Sequence, residues 1–373
     1  MQGGVGDYTR ELSKSIANLG HQVYILTRRG CHAEGLPANC FVYPEVARWN
    51  WSTARQIRRW VRDTGVSVVN LQYQAAAYQM HPAINLLPGR LARAPLAVTF
   101  HDLKAPYLFP KAGRLRHVAL TALARRASLV IVTNQEDLLL LRTRKAAHRL
   151  ALIPIGSNIA PAPPARYDRA LWRKRWGTLE DETLLGFFGF LHAGKGAEDL
   201  LASVQRLNKR GVPVRLVMIG GRTGSSDPTI QAYSDAIDGL VKRLCIEEQV
   251  HWTGFVSPEE VSAHFLTLDI CVLPYRDGAS FRRGSLMAAL AHGRPIVTTT
   301  PAIDLPELRH RENVYLVPPA APNALEEAVV TLRENRELCE TLAAGACELA
   351  RSFEWDSIAR TTLDVLATLE IRD

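Results

Sequence analysis

The chain has 373 residues, 47% of them hydrophobic and 22% charged, which is enough apolar material for two domain cores and excludes a disordered chain. Its six cysteines (31, 40, 245, 271, 339 and 347) form no CxxC pair; this argues against a zinc site and a disulfide framework and fits a reducing cytosol. No apolar run approaches the roughly 18 residues of a membrane span, and a charged, helix-like segment within ten residues of Met1 does not read as a signal peptide.

The net charge of +8 is uneven. Residues 1–160 carry 21 Lys and Arg against 8 Asp and Glu, whereas residues 161–373 carry 24 against 29. A basic first half suits an anionic partner (a membrane surface, a phosphorylated lipid or nucleic acid), although basic residues also simply solubilise a domain.

In chain order, the opening MQGGVGDYTR is a glycine turn running into a helix. Such a turn normally follows a strand, and none is visible before it, so the first strand of this domain is expected to be absent. The spacing G-G-x-G falls short of a dinucleotide fingerprint, which disfavours a nicotinamide dehydrogenase. HQVYILT (21–27), VSVVNLQ (66–72), APLAVTF (94–100) and SLVIVT (128–133) read as buried strands, with helices between them, among them the Arg-rich 51–63. In the segment 111–128, Leu115, Val118, Ala119, Ala122 and Leu123 gather on one helical face, bracketed by arginines. That face suits either an anionic membrane or, more simply, the domain's own sheet.

PAPPARYD (161–168) is a linker, after which the rhythm restarts with TLLGFFGFL (183–191), VRLVMIGG (214–221), QVHWTGFV (249–256), DICVLPY (269–275) and RPIVTTT (294–300). The expected fold is α/β, with two doubly wound parallel-sheet domains and a ligand cleft between them, beyond the carboxyl ends of the strands.

Three segments carry chemistry. In GFLHAGKGAEDLL, Lys195 sits between glycines at a helix N-terminus, a good diphosphate partner, though not a Walker loop. In TFHDLKAP, His101 and Asp102 follow a buried strand; His101 is suited to a sugar hydroxyl or a phosphate, or is a structural histidine. ASFRRGSLMAALAHGRP (279–295) has a phosphate-loop layout with no carboxylate.

The order GGVGDYTREL, VTFHD, IPIGSN, FFGFLHAGKGAEDLL, LVMIGG, HWTGFVSPEEV, SLMAALAHGRPIVTT, FEWDSIARTTL resembles that of the family 4 retaining glycosyltransferases, over nearly the whole chain. The resemblance implies the GT-B fold: two Rossmann-like domains, an acceptor-side domain over 1–160, a donor domain over 161–350, and a final helix over 351–373 crossing back to the first domain. It implies a cytoplasmic transferase, peripheral to the inner face of the plasma membrane, that moves a sugar from a nucleotide-activated donor to a saccharide or lipid-linked acceptor in surface polysaccharide or glycolipid assembly. It implies no metal and no cofactor beyond the nucleotide-sugar substrate, and no nucleic-acid partner.

By the same resemblance, His101 and Lys195 are the catalytic side chains, and Gly3, Gly4 and Gly6 face the donor diphosphate. Gly254, Phe255 and Val256 meet the nucleobase, and Asp102 and Asn158 the acceptor or sugar. The departures matter. The family's arginine before the lysine falls on Gly189 or Phe190, and its two glutamates fall on Ser280 and Ala288. Arg282 and Arg283, with Ser285 and the amides around Gly284, are the expected compensation at the diphosphate. The missing glutamates keep open an alternative, a non-catalytic GT-B protein that binds a nucleotide sugar or a partner glycosyltransferase.

Overall fold

The computed structural model describes residues 4–31, 35–103, 115–221 and 228–369. The chain divides into two compact units, one of residues 1–158 with 353–373 and the other of residues 159–352.

The first unit begins with α1 (Gly4–Asn18). Strands β1 (Val23–Arg28) and β2 (Cys40–Val46) pair in parallel as a sheet of their own. Helix α2 (Thr53–Thr64) precedes β3 (Val69–Tyr73), and the short β4 (Arg90–Leu91) turns back against β5 (Ala94–Phe100). Helix α3 (Leu115–Arg126), β6 (Leu129–Val132), α4 (Gln135–Thr143) and β7 (Leu150–Leu152) follow. The parallel order is β3-β5-β6-β7. Among the described residues β1 pairs only with β2, and β3 pairs along its length only with β5. The sheet is therefore in two pieces, and α1 lies against β1, β2 and β3.

All seven residues of β5 are buried, as expected of a strand covered on both faces. The apolar face of α3 is rotated from the one expected. Leu120, Leu123, Ala124 and Ala127 are buried, at i, i+3, i+4 and i+7, whereas Val118 is 64% exposed. That stripe follows the helical period and packs on the turn Pro82–Leu86 of the same unit. Residues 111–114, part of the expected segment, lie outside the described residues.

The second unit holds α5 (Arg169–Arg175), β8 (Thr183–Phe188), α6 (Ala197–Lys209), β9 (Val214–Ile219), α7 (Pro228–Leu244) and β10 (Val250–Trp252). It continues with α8 (Pro258–Thr267), β11 (Ile270–Leu273), α9 (Gly284–Ala291), β12 (Ile296–Thr299), β13 (Tyr315–Val317), α10 (Pro322–Glu334) and α11 (Arg336–Ala350). Its six strands are all parallel, in the order β10-β9-β8-β11-β12-β13. The order reverses direction between β8 and β11, and in such sheets the carboxyl ends at this point receive ligands. Ser257 and Glu260 form a reciprocal capping box with Pro258 at the first helical position, which fixes where α8 starts.

The chain then returns to the first unit as α12 (Trp355–Ala367), packed on α1. Tyr8, Leu12, Ile358, Ala359 and Leu369 close over Ala97, Leu129, Ile131 and Ile153 in one apolar cluster. Trp355 Nε1 donates to Ser157 O at 2.8 Å. No described helix is long and apolar enough to cross a membrane.

Candidate active site

The lysine loop of the second unit is held by its own backbone. His192 Nδ1 accepts from Gly194 N at 3.0 Å, and Lys195 N donates to His192 O at 2.8 Å. Arg276 N donates to Gly194 O at 3.0 Å, and the Arg276 guanidinium forks onto the buried Asp199 in the first turn of α6 (3.1 and 3.3 Å). Gly196 has φ +68°, and a Cβ there would run into Pro274 O, so this glycine is dictated by the close pass of β11's end.

Lys195 is then folded back over the end of β8. Its Nζ stands where a Cβ of Gly189 would be, and Gly189 has φ +111°. Gly189 therefore cannot carry the expected arginine: the backbone favours glycine and the ammonium already fills the space. Phe190 follows it, 47% exposed. Burial lowers the Lys195 pKa to about 8, with a smaller contribution from the Arg283 guanidinium. Among the described residues Lys195 has no ion-pair or hydrogen-bond partner, which leaves a largely desolvated cation beside a second one.

The segment from β11 to α9 supplies that second cation. Tyr275 is fully buried. Its hydroxyl shares a hydrogen bond with Ser285 Oγ at 2.7 Å, and its ring lies 4.7 Å under the Arg283 guanidinium. Thr299 Oγ1 on the last residue of β12 donates to Tyr275 O at 2.7 Å, which anchors the tyrosine to the sheet. Arg283 also pairs with Asp277. Ser285 Cβ lies 4.0 Å from the Cβ position of Gly189, so Lys195, Arg283 and Ser285 converge at the end of β8. Gly284 and Ser285 begin α9, and their N–H groups have no partner among the described residues. Two cations, one of them paired with Asp277, and open helix-terminal amides are chemically suited to receive an anion.

Of the other expected residues in this unit, Arg282 is half-buried, and its N lies 3.4 Å from Ser280 Oγ. Ser280 and Ala288, where the glutamates were expected, are both buried. Gly254 (φ +69°) forms a bridge with Gly220, whose Cβ position lies 3.6 Å from Gly189. Gly189, Gly220 and Gly254 thus line up across the ends of β8, β9 and β10. Phe255 beyond them is 87% exposed, Val256 is half-buried, and the strand ends at Trp252, earlier than its apolar run suggested.

In the first unit, His101 follows β5, with its N donating to Tyr73 O at 3.2 Å and its O accepting from Thr133 Oγ1 at 3.4 Å. Its Nε2 lies 2.9 Å from Gln72 Oε1, and Tyr8 of α1 packs on the ring at 4.6 Å. Burial lowers its pKa to about 4, so the imidazole is neutral at pH 7. Asp102 beside it is half-buried, and Asn158 is exposed. Gly4 and Gly6 lie in the first turn of α1; Gly4 has open space around it, and Gly3 lies outside the described residues. Tyr275, Asp277, Arg276, Asp199 and Gln72 escaped sequence reasoning. Each belongs to a type and a run that reads equally well as framework, and only the placement of Arg276 and Asp277 just past a strand end hinted otherwise.

Residues 182–335 match the family model described as "Glycosyl transferases group 1", and residues 3–156 match the "Glycosyl transferase 4-like domain". The chain is a family 4-like glycosyltransferase. This glycosyltransferase is 26% identical to the phosphatidyl-myo-inositol mannosyltransferase of Mycobacterium leprae, over 98% of its own length and 93% of the relative's. Its fold is GT-B. It is similar to a glycosyltransferase from Rickettsia africae (TM-score 0.78, 15% identity, 98% and 94% of the two chains). It is also similar to Anabaena HepE solved with UDP (TM-score 0.73, 17% identity, 98% and 96%).

Proposed function

We propose that this glycosyltransferase is retaining and metal-independent, and takes its sugar from a nucleoside diphosphate donor. The observation that carries this is Lys195, a half-buried side chain whose largely desolvated ammonium has no anionic partner among the described residues, beside Arg283 and the open amides of Gly284 and Ser285. Such a group is costly to fold unless a ligand supplies the negative charge. A diphosphate does so, and its charge grows as the bond to the sugar breaks. Stabilising that charge is the largest catalytic term this residue set can offer. The acceptor hydroxyl attacks the anomeric carbon on the face the diphosphate leaves, and the departing phosphate oxygen takes the hydroxyl proton. No protein nucleophile is required. The turn at Gly254–Val256 of the second unit is assigned to the base, and His101, Gly4 and Gly6 of the first unit keep the roles that the motif order implies for them.

The acceptor is assigned to the first unit. The basic charge of residues 1–160 and the lipid named for the Mycobacterium leprae relative favour a lipid-linked or phosphorylated acceptor, met at the cytoplasmic face of an anionic membrane. Flotation with anionic vesicles tests this: binding falls as salt rises, and salt-insensitive binding contradicts it.

The enzymatic test is a panel of UDP- and GDP-sugars assayed for transfer and hydrolysis, with Lys195→Ala as control. The expected result is turnover unchanged by EDTA, with the donor's anomeric configuration kept in the product by NMR. The buried Ser280 and Ala288 favour the second reading, a non-catalytic nucleotide-sugar binder; nucleotide binding without turnover of any donor would establish it.

A further inference from the structure

Parallel β3 and β5 carry two polar rungs on one face of a sheet that is otherwise apolar. Thr99 Oγ1 donates to Asn70 Oδ1 at 2.9 Å, and two residues further along both strands Gln72 Oε1 meets His101 Nε2 at 2.9 Å. Gln72 lies opposite Thr99 in the register, so the amide reaches diagonally to the residue just past the strand. The backbone on both sides is pinned. Gln72 O accepts from the buried Tyr78 hydroxyl at 2.8 Å, and His101 N donates to Tyr73 O. Tyr8 of α1 lies edge-on to the imidazole and in turn packs on Trp355 of α12, which closes the other side. The ring is thus held by Gln72 of β3 at Nε2 and by Tyr8 of α1, which Trp355 backs.

We propose that Gln72 is a positioning residue that fixes His101 as the Nε2–H tautomer and leaves Nδ1 as a hydrogen-bond acceptor, so that His101 meets a substrate hydroxyl and not a phosphate oxygen. The amide oxygen can only accept, so the ring nitrogen facing it carries the proton. A neutral imidazole has one N–H, and once Nε2 holds it Nδ1 is a lone pair. Nδ1 has no partner among the described residues. Two acceptors cannot bond each other, so a phosphate or carboxylate oxygen is excluded at Nδ1, while a sugar hydroxyl fits. The assignment of that hydroxyl to the donor sugar rests on the function proposed above; the tautomer does not.

The neutrality of the ring follows from burial alone. Gln72 on β3 is uncharged, Thr133 beyond β6 presents a hydroxyl, and Tyr8 on α1 is a phenol whose own pKa burial raises. Asp102, the next residue along the chain, is the nearest carboxylate in sequence.

The test pairs spectroscopy with kinetics on the full chain. Ring ¹⁵N spectra of histidine-labelled protein, with the His101 signal assigned by its loss in His101→Asn, should show Nε2–H in the wild type and a mixture of tautomers in Gln72→Leu. Gln72→Glu keeps the shape but adds a carboxylate beside the ring. It should move the acid limb of the transfer profile upward by about 1 to 3 pH units. Gln72→Leu should lower kcat about tenfold with a smaller change in donor KM, and melting curves of both variants report on folding. An Nδ1–H tautomer in the wild type, or spectra and pH profile unmoved by either variant, would overturn the proposal. If no donor is ever turned over, the function proposed above fails, and the spectra still decide the tautomer.

Discussion

At the residue scale the site turns on Lys195. Its pKa of about 8, down from 10.5, means that the folded protein resists protonating it. It is cationic below about pH 8, so nucleoside diphosphate affinity should be full at pH 7 and fall as pH rises through 8. Bound diphosphate favours the ammonium, so binding near pH 8.5 should take up a proton, measurable by calorimetry in two buffers of different ionisation enthalpy. The same shift makes a stability statement of opposite sign. Because the folded pKa lies below the unfolded one, the penalty is fully present below pH 8 and fades towards pH 10.5. Lys195→Met should therefore raise the melting temperature at pH 7 while weakening donor binding, a pairing that a merely structural lysine would not show. Gly189→Ala should lower stability and donor binding together. The new methyl group collides with the ammonium at φ +111°, which costs about 1–3 kcal/mol in denaturant unfolding and displaces Lys195. Lys195 was legible in the sequence because glycines flank a lone cation at a helix start. The fate of the missing arginine was not: nothing in the letters GFLHAGKG says that the lysine folds back over Gly189.

At the element scale, the apolar runs located the strands, and APLAVTF is β5 to the residue, but TLLGFFGFL leaves the sheet at Phe188, just before the positive-φ Gly189. Strand β2 escaped because Pro44 interrupts CFVYPEV; a lone pair of parallel strands tolerates a proline that a central strand would not. Short β7 and β13 escaped because three residues show no period. The run GSLMAALA is legible as the small apolar helix α9, but its task depends on Tyr275, ten residues before Ser285, which the sequence presents only as the end of a buried strand. Tyr275→Phe keeps the ring under Arg283 and removes the bond to Ser285. It should cost about 1 kcal/mol of stability and a smaller loss of nucleotide affinity than Arg283→Ala, compared by chemical denaturation and calorimetry. Helix α12 depends on a similar fit. Trp355 lies 2.7 Å from where a Cβ of Gly156 would be, and donates to Ser157 O. Trp355→Ala should destabilise the first unit by roughly 3 kcal/mol.

At the scale of the whole molecule, each unit carries its own apolar core, and the first is built from two stretches of chain. A chain ending at residue 352 should lose hydrogen-exchange protection in α1 and β5 while β8 to β12 keep theirs; uniform loss in both units would contradict that division. The alternation of strands and helices made both parallel sheets legible, and motif order made the family legible. The division of the first unit's strands into two pairing groups, and the packing of α1 across both, needed the structure. The central claim is that Lys195 and Arg283 of the second unit hold the diphosphate of a sugar donor. Calorimetric titration of UDP and GDP into the wild type, Lys195→Ala and Arg283→Ala at pH 7 tests it most directly. The account predicts binding of at least one nucleotide by the wild type and a loss of about tenfold or more in each variant; wild-type affinity retained in both variants would contradict it.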